Sequence, residues 1–134
     1  MTDSLTVVAA IAFGPTRRSA NQSFTHGGCT TSNGGAPRSS GQNEGLLSYA
    51  DAGVLREYCH PGDPICCPNS EHKEMSKHLN YFEQYSDEAA AWVIDLAKKA
   101  VQEDRKSGAK SMLHQTISHP VANAFILLFV LFVL

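Results

Sequence analysis

The stretch that decides how this chain is interpreted is Tyr58-Cys59-His60-Pro61-Gly62-Asp63-Pro64-Ile65-Cys66-Cys67-Pro68. Cys59 and Cys66 bracket a short loop with two prolines and a glycine, so its backbone has little conformational freedom. One carboxylate, that of Asp63, lies near the tip of this loop. An aspartate beside proline and glycine is often only a turn former, but the bracketing cysteines indicate that this acid is held in place.

We define residues 59–67 as the acid loop. A histidine follows this loop in the chain. His78 is followed by Tyr81 and then by a segment whose apolar residues recur at helical spacing. A rigidly held aspartate before a histidine matches the last two members of a triad in the chain order serine, aspartate, histidine. α/β-Hydrolases use this order, so Asp63 and His78 are candidates for an acid and a base.

Three segments around this pair resemble the C-terminal part of fungal cutinases and acetylxylan esterases. They are VLREYCHPGDPICC at positions 54–67, HLNY at 78–81 and AAAWV at 89–93. The doubled cysteine at 66–67 is more similar to the acetylxylan esterase branch. Upstream, Val7–Gly14 is similar to the family's strand after the nucleophile helix, and Ser48–Asp51 to the lead-in to its acid loop. The likeness runs from Leu5 to Lys98.

The resemblance implies an α/β fold over residues 1–105, namely the incomplete C-terminal portion of a three-layer α/β/α hydrolase sandwich with parallel strands. It also implies a serine esterase that uses no cofactor and acts on cutin or acetylated plant polysaccharide, with Asp63 and His78 as catalytic residues. Family members carry the nucleophile in an upstream Gly-x-Ser-x-Gly elbow, and this sequence contains no such motif.

Without that elbow, we expect the chain as given to be truncated and inactive. The alternative is a non-catalytic, disulfide-braced cell-surface protein derived from a hydrolase. The coding sequence upstream of Met1 separates the two hypotheses, because only the first requires an elbow there.

Four cysteines are consistent with an oxidising compartment, where an even number can pair completely. Of the three possible connectivities, we predict Cys29–Cys67 and Cys59–Cys66. The first would attach the long upstream loop to the acid loop, and the second would rigidify Asp63. A zinc site from the acid-loop cysteines with His60 or His72 is disfavoured, because Cys-x-x-Cys spacing is absent, so we expect no metal.

Two strands and one helix are predicted around the acid loop. Leu5–Phe13 is apolar without alternation, which is typical of a parallel strand buried on both faces. Gly53–Tyr58 is the strand that delivers the acid loop in the family. The clearest helix has Ser86 as its N-cap and an apolar face formed by Ala90, Val93, Ile94, Ala97 and Val101.

The segment from Thr16 to Gly45 is rich in Ser, Thr, Asn and Gly and is predicted to be a surface loop. It contains Asn21-Gln22-Ser23, a candidate N-glycosylation site if the chain is secreted. No signal peptide is recognisable, because Asp3 precedes the first apolar run and no basic region does. A weak, uncleaved secretion signal stays an alternative for that run.

The C-terminal end carries a separate signal. Residues 121–134 are apolar apart from Asn123. Before them, residues 106–120 contain the small triplet Ser107, Gly108 and Ala109 and then a mostly polar spacer, Lys110–Pro120. This pattern predicts glycosylphosphatidylinositol (GPI) attachment at the triplet and removal of the tail. A tail-anchored helix, a buried C-terminal strand and read-through of the coding sequence are the alternatives.

Composition narrows the range of partners. The formal net charge is −2 in 134 residues, and no basic stripe with interleaved aromatic residues is present, so we expect no nucleic acid partner. The expected partner is a polymeric or small ester substrate, with a membrane tether through the tail as a further possibility. The expected location is the cell exterior or cell surface.

Overall fold

The computed structural model describes the backbone of residues 6–114 and 126–131 and the side chains of residues 7–108. The described strands are β1 (Thr6–Phe13), β2 (Thr25–His26), β3 (Leu55–Tyr58) and β4 (Ile126–Leu131), and the described helices are α1 (Ser40–Asp51), α2 (Met75–Leu79) and α3 (Tyr81–His114). The strands form one sheet in the order β2-β3-β1-β4, and all neighbours are parallel. An α/β architecture with a parallel sheet is therefore present.

Strand β1 lies inside this sheet. Val8, Ala9 and Ile11 are each at most 6 % exposed, so side chains on both faces of the strand are covered. Its register with β3 runs from Ala10 opposite Leu55 to Phe13 opposite Tyr58. The predicted two-face burial of this apolar run is confirmed, and the carboxyl ends of β1 and β3 meet at one edge of the sheet.

Residues on β3 alternate between two environments. Arg56 and Tyr58 both bond to Glu88 of α3, whereas Glu57 pairs with Arg38, which lies just before α1. Since neighbouring strand residues point to opposite faces, α3 and the Arg38 region lie on opposite sides of the sheet. The order of helix, sheet and second covering segment is that of a layered α/β domain.

The start of helix α3 differs from the prediction. The helix begins at Tyr81, so Ser86 lies inside it and is not the N-cap. Ala90 and Ile94 are exposed, which corrects two positions of the predicted apolar face, whereas Val93 packs against the core as predicted. Tyr81 and Ala89 belong to the core, and Tyr85 and Trp92 pack against it. Burial of two tyrosine rings outweighs the local capping signal at Ser86, because packing contributes more to helix stability than propensity does.

The predicted surface loop of Thr16–Gly45 contains more regular structure than expected. Strand β2 lies within it, and α1 begins at Ser40. Ser39 and Gln42 form a capping box, in which Ser39 Oγ accepts from the Gln42 amide and Gln42 Oε1 accepts from the Ser39 amide. The prediction of a loop was wrong at β2 and at the start of α1. The polar composition of the segment obscured the Ser39–Gln42 capping box.

Strand β4 is the described part of the C-terminal tail. It pairs with the edge of β1 that faces away from β3, from Thr6 opposite Ile126 to Ala12 opposite Leu131, with an irregularity between Val7 and Ala10. The remaining tail positions and the spacer from residue 115 lie outside the described residues.

Helix α3 continues through positions 106–114, so the predicted boundary after residue 105 falls within a helix. None of the described helices combines the length and apolar character needed to cross a membrane.

Candidate active site

The acid loop holds Asp63 in a fixed orientation at the carboxyl ends of β1 and β3. The loop is closed by the Cys59–Cys66 disulfide, and the Asp63 side chain is fully buried. Its Oδ1 atom accepts hydrogen bonds from the amides of Ile65 at 2.7 Å and Cys66 at 3.2 Å. An aspartate that accepts from amides two and three residues ahead stabilises its own turn, so one carboxylate oxygen is already fixed by the loop.

His78 contacts the other oxygen of this carboxylate. Helix α2 carries His78, and Nδ1 lies 3.0 Å from Asp63 Oδ2, with 14 % of the histidine side chain exposed. The start of α2 is fixed by the Glu74 amide, which donates to the Gly62 carbonyl at 3.0 Å. When Nδ1 carries the proton toward Asp63, a neutral imidazole has its lone pair on Nε2, where it can accept a proton from a hydroxyl.

Gly14 provides the space that this imidazole occupies. It follows β1 with φ of 57°, a conformation that favours glycine. A Cβ atom at this position would lie 2.9 Å from both Nδ1 and Cε1 of His78, and equally close to the Tyr81 ring. The sequence alone indicates Gly14 only as the end of a strand, and its close approach to His78 emerges from the structure.

Tyr81 completes the surroundings of the carboxylate. Its hydroxyl donates to Asp63 Oδ2 at 2.6 Å and accepts from the His60 amide at 3.0 Å. The Tyr81 hydroxyl oxygen also lies 3.2 Å from Cys66 Sγ. Burial, followed by the hydrogen bond to Asp63, raises the pKa of Tyr81 above its ordinary value, so the phenol stays protonated as a donor. Tyr81 belongs to a segment that carries the family resemblance, but the sequence alone indicates no role for its hydroxyl.

Two disulfides and a buried arginine connect the acid loop to the upstream segment. The structure joins Cys29 to Cys67 and Cys59 to Cys66, which is the connectivity predicted from the sequence. Arg18 is fully buried and donates to the carbonyl oxygens of Cys29 at 2.5 Å and Cys66 at 3.0 Å. Burial lowers the pKa of Arg18 from its ordinary value. No sequence motif indicated this contact.

The sulfur atoms of Cys29, Cys59 and Cys67 lie within 4.8 Å of one another. This proximity results from the side-by-side packing of the two disulfides. Metal sites use cysteine as the thiolate, and both of these bridges hold their sulfurs in the oxidised form, so the cluster is structural.

A comparison with protein-family models matches the cutinase model to residues 2–97, which is most of the chain. The chain belongs to the cutinase family. The α/β-hydrolase fold that the family implies agrees with the parallel sheet and its flanking helices, here present as an incomplete domain. No curated protein and no solved structure matched the chain in the other two comparisons.

A groove elsewhere on this cutinase-family chain is separate from the acid–base pair. It has a volume of about 180 Å³ and is lined by Ser23, Phe24, His26, Ala50, Gly53, Leu55, Arg56 and Trp92. These residues surround the beginning of β3, whereas the acid loop follows its end. The groove therefore does not present an ester to His78.

The other predicted site residues lie away from Asp63 and His78. Asn21 is exposed on a turn, with φ of 59°, and its amide donates to the Thr30 carbonyl at 2.8 Å. Ser107 and Gly108 are exposed on α3, and Ala109 belongs to the same helix. The structure thus brings together the predicted acid, base and four cysteines, and leaves the modification candidates on separate surfaces.

Proposed function

We propose that Asp63 and His78 are the acid and base of a serine esterase of the cutinase or acetylxylan esterase type. The observation that carries the proposal is the 3.0 Å contact between His78 Nδ1 and a fully buried carboxylate whose other oxygen is held by two amides. Membership of the cutinase family supports an ester substrate. Cutin-like polyesters and acetylated xylan are the proposed substrates.

In this mechanism a serine hydroxyl attacks the ester carbonyl while His78 Nε2 takes its proton. The tetrahedral intermediate collapses when the protonated imidazole returns that proton to the leaving alcohol, which leaves an acyl-serine. Water then repeats the two steps and releases the acid. Asp63 orients the ring through Nδ1 and stabilises the imidazolium form.

The nucleophile is proposed to lie on a Gly-x-Ser-x-Gly elbow in a segment that precedes β1 in a longer polypeptide. The sequence of residues 1–134 contains no such motif. In α/β-hydrolases this elbow connects a strand to a helix at the top of the sheet. Asp63 follows the end of β3, and the His78 ring lies next to Gly14 at the end of β1, so the pair lies at the corresponding edge.

The experiment has two stages. The native transcript is read upstream of Met1, and the polypeptide it encodes is treated with a serine-reactive fluorophosphonate. We expect an upstream elbow and covalent labelling of its serine, with labelling strongly slowed in His78→Gln because the base is lost. His72→Gln is the matched control, since His72 is exposed. Labelling at an unchanged rate in His78→Gln would overturn the proposal.

A second candidate is a non-catalytic, disulfide-braced surface protein derived from a hydrolase. It is favoured by the pairing of β4 with the outer edge of β1, which allows the chain to extend its own sheet. The same transcript separates the candidates: a message without an upstream elbow, encoding a protein that hydrolyses no ester, supports this second function. In that case the Asp63–His78 contact is structural.

The extracellular location is also part of the proposal. The two disulfides fit an oxidising compartment, and Asn21 is exposed for glycosylation. We further propose GPI attachment at Ser107, Gly108 or Ala109. Release of the protein from membranes by phospholipase would support this attachment. Recovery of peptides from residues 126–131 in the mature protein would contradict it, because attachment removes the tail.

A further inference from the structure

We propose that Tyr81 is a positioning residue, whose hydroxyl holds Asp63 Oδ2 toward His78 Nδ1. The inference rests on the proposed function, because it assigns a partner to the acid of the proposed triad. It is drawn from contacts within the described residues, in which Tyr81 and His78 share one carboxylate oxygen.

The two oxygens of Asp63 are held differently. Oδ1 accepts from main-chain amides of the acid loop, which fixes one end of the carboxylate. Oδ2 accepts only from side chains, at 2.6 Å from Tyr81 and 3.0 Å from His78, among the described residues. Since His78 must move protons during catalysis, Tyr81 is the donor that can keep Oδ2 in place while the imidazole changes charge.

Tyr81 is itself held from several sides, which a positioning residue requires. Its ring is 4 % exposed, and its edge-to-face contact with the His78 ring has a centroid distance of 6.3 Å. The His60 amide donates to its hydroxyl oxygen, so the hydroxyl proton is directed at Asp63. The Tyr81 hydroxyl thus links the His60 amide, near the start of the acid loop, to the Asp63 carboxylate at the tip of that loop.

A second consequence concerns charge. Two donors on Oδ2 and two on Oδ1 hydrogen-bond the Asp63 carboxylate in a site where it is fully buried, which offsets the free energy of removing it from water. Tyr81 therefore assists His78 without touching the ester.

The test uses Tyr81→Phe in the 134-residue chain with ¹⁵N-labelled histidine. We expect the wild-type His78 ring to show a slowly exchanging Nδ1 proton bonded to a carboxylate. In Tyr81→Phe, exchange of that proton with water becomes about tenfold faster, which corresponds to about 1.4 kcal/mol for one hydrogen bond to a charged acceptor. Ester hydrolysis is not measured, so the result does not depend on the nucleophile.

Tyr85→Phe is the matched control. Tyr85 lies one turn later on α3, packs on Tyr81 at a centroid distance of 5.9 Å and donates to the Gly27 carbonyl instead of Asp63. We expect the Nδ1 proton in this variant to exchange as in the wild type. Equal exchange rates in Tyr81→Phe and Tyr85→Phe would overturn the proposal, because they would show that Tyr81 only fills space.

If Tyr81→Phe does not fold, the wild-type phenol supplies the test. Its hydroxyl proton is expected to exchange slowly, to persist in His78→Gln and to exchange rapidly in Asp63→Ala, which has no side-chain acceptor. Absence of a slowly exchanging Tyr81 hydroxyl proton in the wild type would contradict the proposed hydrogen bond. Persistence of slow exchange in Asp63→Ala would overturn the proposal, because it would show that another acceptor holds the phenol.

Discussion

At the residue scale, the site depends on buried polar groups that bond to one another. Among the described residues, the Asp63 carboxylate has four donors, and Arg18 donates to the carbonyl oxygens of Cys29 and Cys66 while its Nε atom has no hydrogen-bond partner. Each buried polar atom left without a partner costs its desolvation free energy. Substitution of one member therefore affects its partners as well.

Arg18→Met provides a test at this scale. Loss of the guanidinium leaves the carbonyl oxygens of Cys29 and Cys66 buried without this donor, so we expect the free energy of unfolding to fall by about 3 kcal/mol. Urea unfolding followed by circular dichroism measures the change. Arg17→Met is the control, because Arg17 is exposed and should change stability by less than about 0.5 kcal/mol. Equal stability of the two variants would contradict the structural role of Arg18.

At the element scale, the two disulfides have different functions. The Cys29–Cys67 bridge spans 38 residues and fastens the upstream segment, whereas Cys59–Cys66 spans 7 residues and shapes the acid loop. In the chain-entropy model a longer closed loop gives greater stabilisation. The short bridge, however, adjoins the amide of Cys66 that holds Asp63 Oδ1.

Removal of each bridge by paired alanine substitutions should separate stability from site geometry. We expect a loss of about 4 kcal/mol without Cys29–Cys67 and about 2.5 kcal/mol without Cys59–Cys66. Removal of Cys59–Cys66 should nevertheless disturb the Asp63–His78 contact more than removal of Cys29–Cys67 does. The His78 Nδ1 proton resonance reports this disturbance. Loss of the resonance only in the variant that lacks Cys29–Cys67 would contradict this assignment.

A second prediction at the element scale concerns the contribution of strand β4 to stability. Deletion of residues 121–134 removes the strand that covers the outer edge of β1, so the free energy of unfolding should fall by at least about 2 kcal/mol. The exposed edge should also promote self-association, which light scattering detects. A tail-deleted protein that stays monomeric with unchanged stability would contradict this stabilising role of β4.

Sequence patterns predicted those parts of the molecule that depend on neighbouring residues. The apolar run of β1 and the compact acid loop are local, and the order of Asp63 and His78 made their contact foreseeable through the resemblance. The start of α3, the capping box of α1 and the burial of Arg18 were missed. The first and last depend on packing between segments distant in sequence, and the capping box lies in a polar stretch that resembles a loop.

At the scale of the whole molecule, a cluster of tyrosines lies between the sheet and α3. Burial raises the pKa of Tyr58, Tyr81 and Tyr85 above their ordinary values, and for Tyr81 the hydrogen bond to Asp63 adds to this increase. The ring centroids of Tyr58 and Tyr85 lie 5.1 Å apart, and those of Tyr81 and Tyr85 lie 5.9 Å apart. Ionisation of one phenol would place charge among apolar rings.

This cluster predicts a specific loss of stability at alkaline pH. The unfolded chain releases phenol protons near pH 10, before the folded protein does, so stability is full below that pH and falls as the pH rises further. Tyrosinate absorbance and circular dichroism should therefore change together, and Tyr85→Phe should reduce the slope. Ionisation of all three tyrosines near pH 10 with unchanged circular dichroism would contradict the prediction.

The central claim is that Asp63 and His78 form the acid–base pair of an ester-hydrolysing site. The most direct test is kcat/KM for a short-chain p-nitrophenyl ester, measured on the polypeptide that the full native transcript encodes, with His78→Gln, Asp63→Asn and the control His72→Gln. We expect hydrolysis by the wild type and the control, and a decrease in kcat/KM of about 10⁴-fold or more in His78→Gln and Asp63→Asn. Hydrolysis at the wild-type rate in His78→Gln would contradict it.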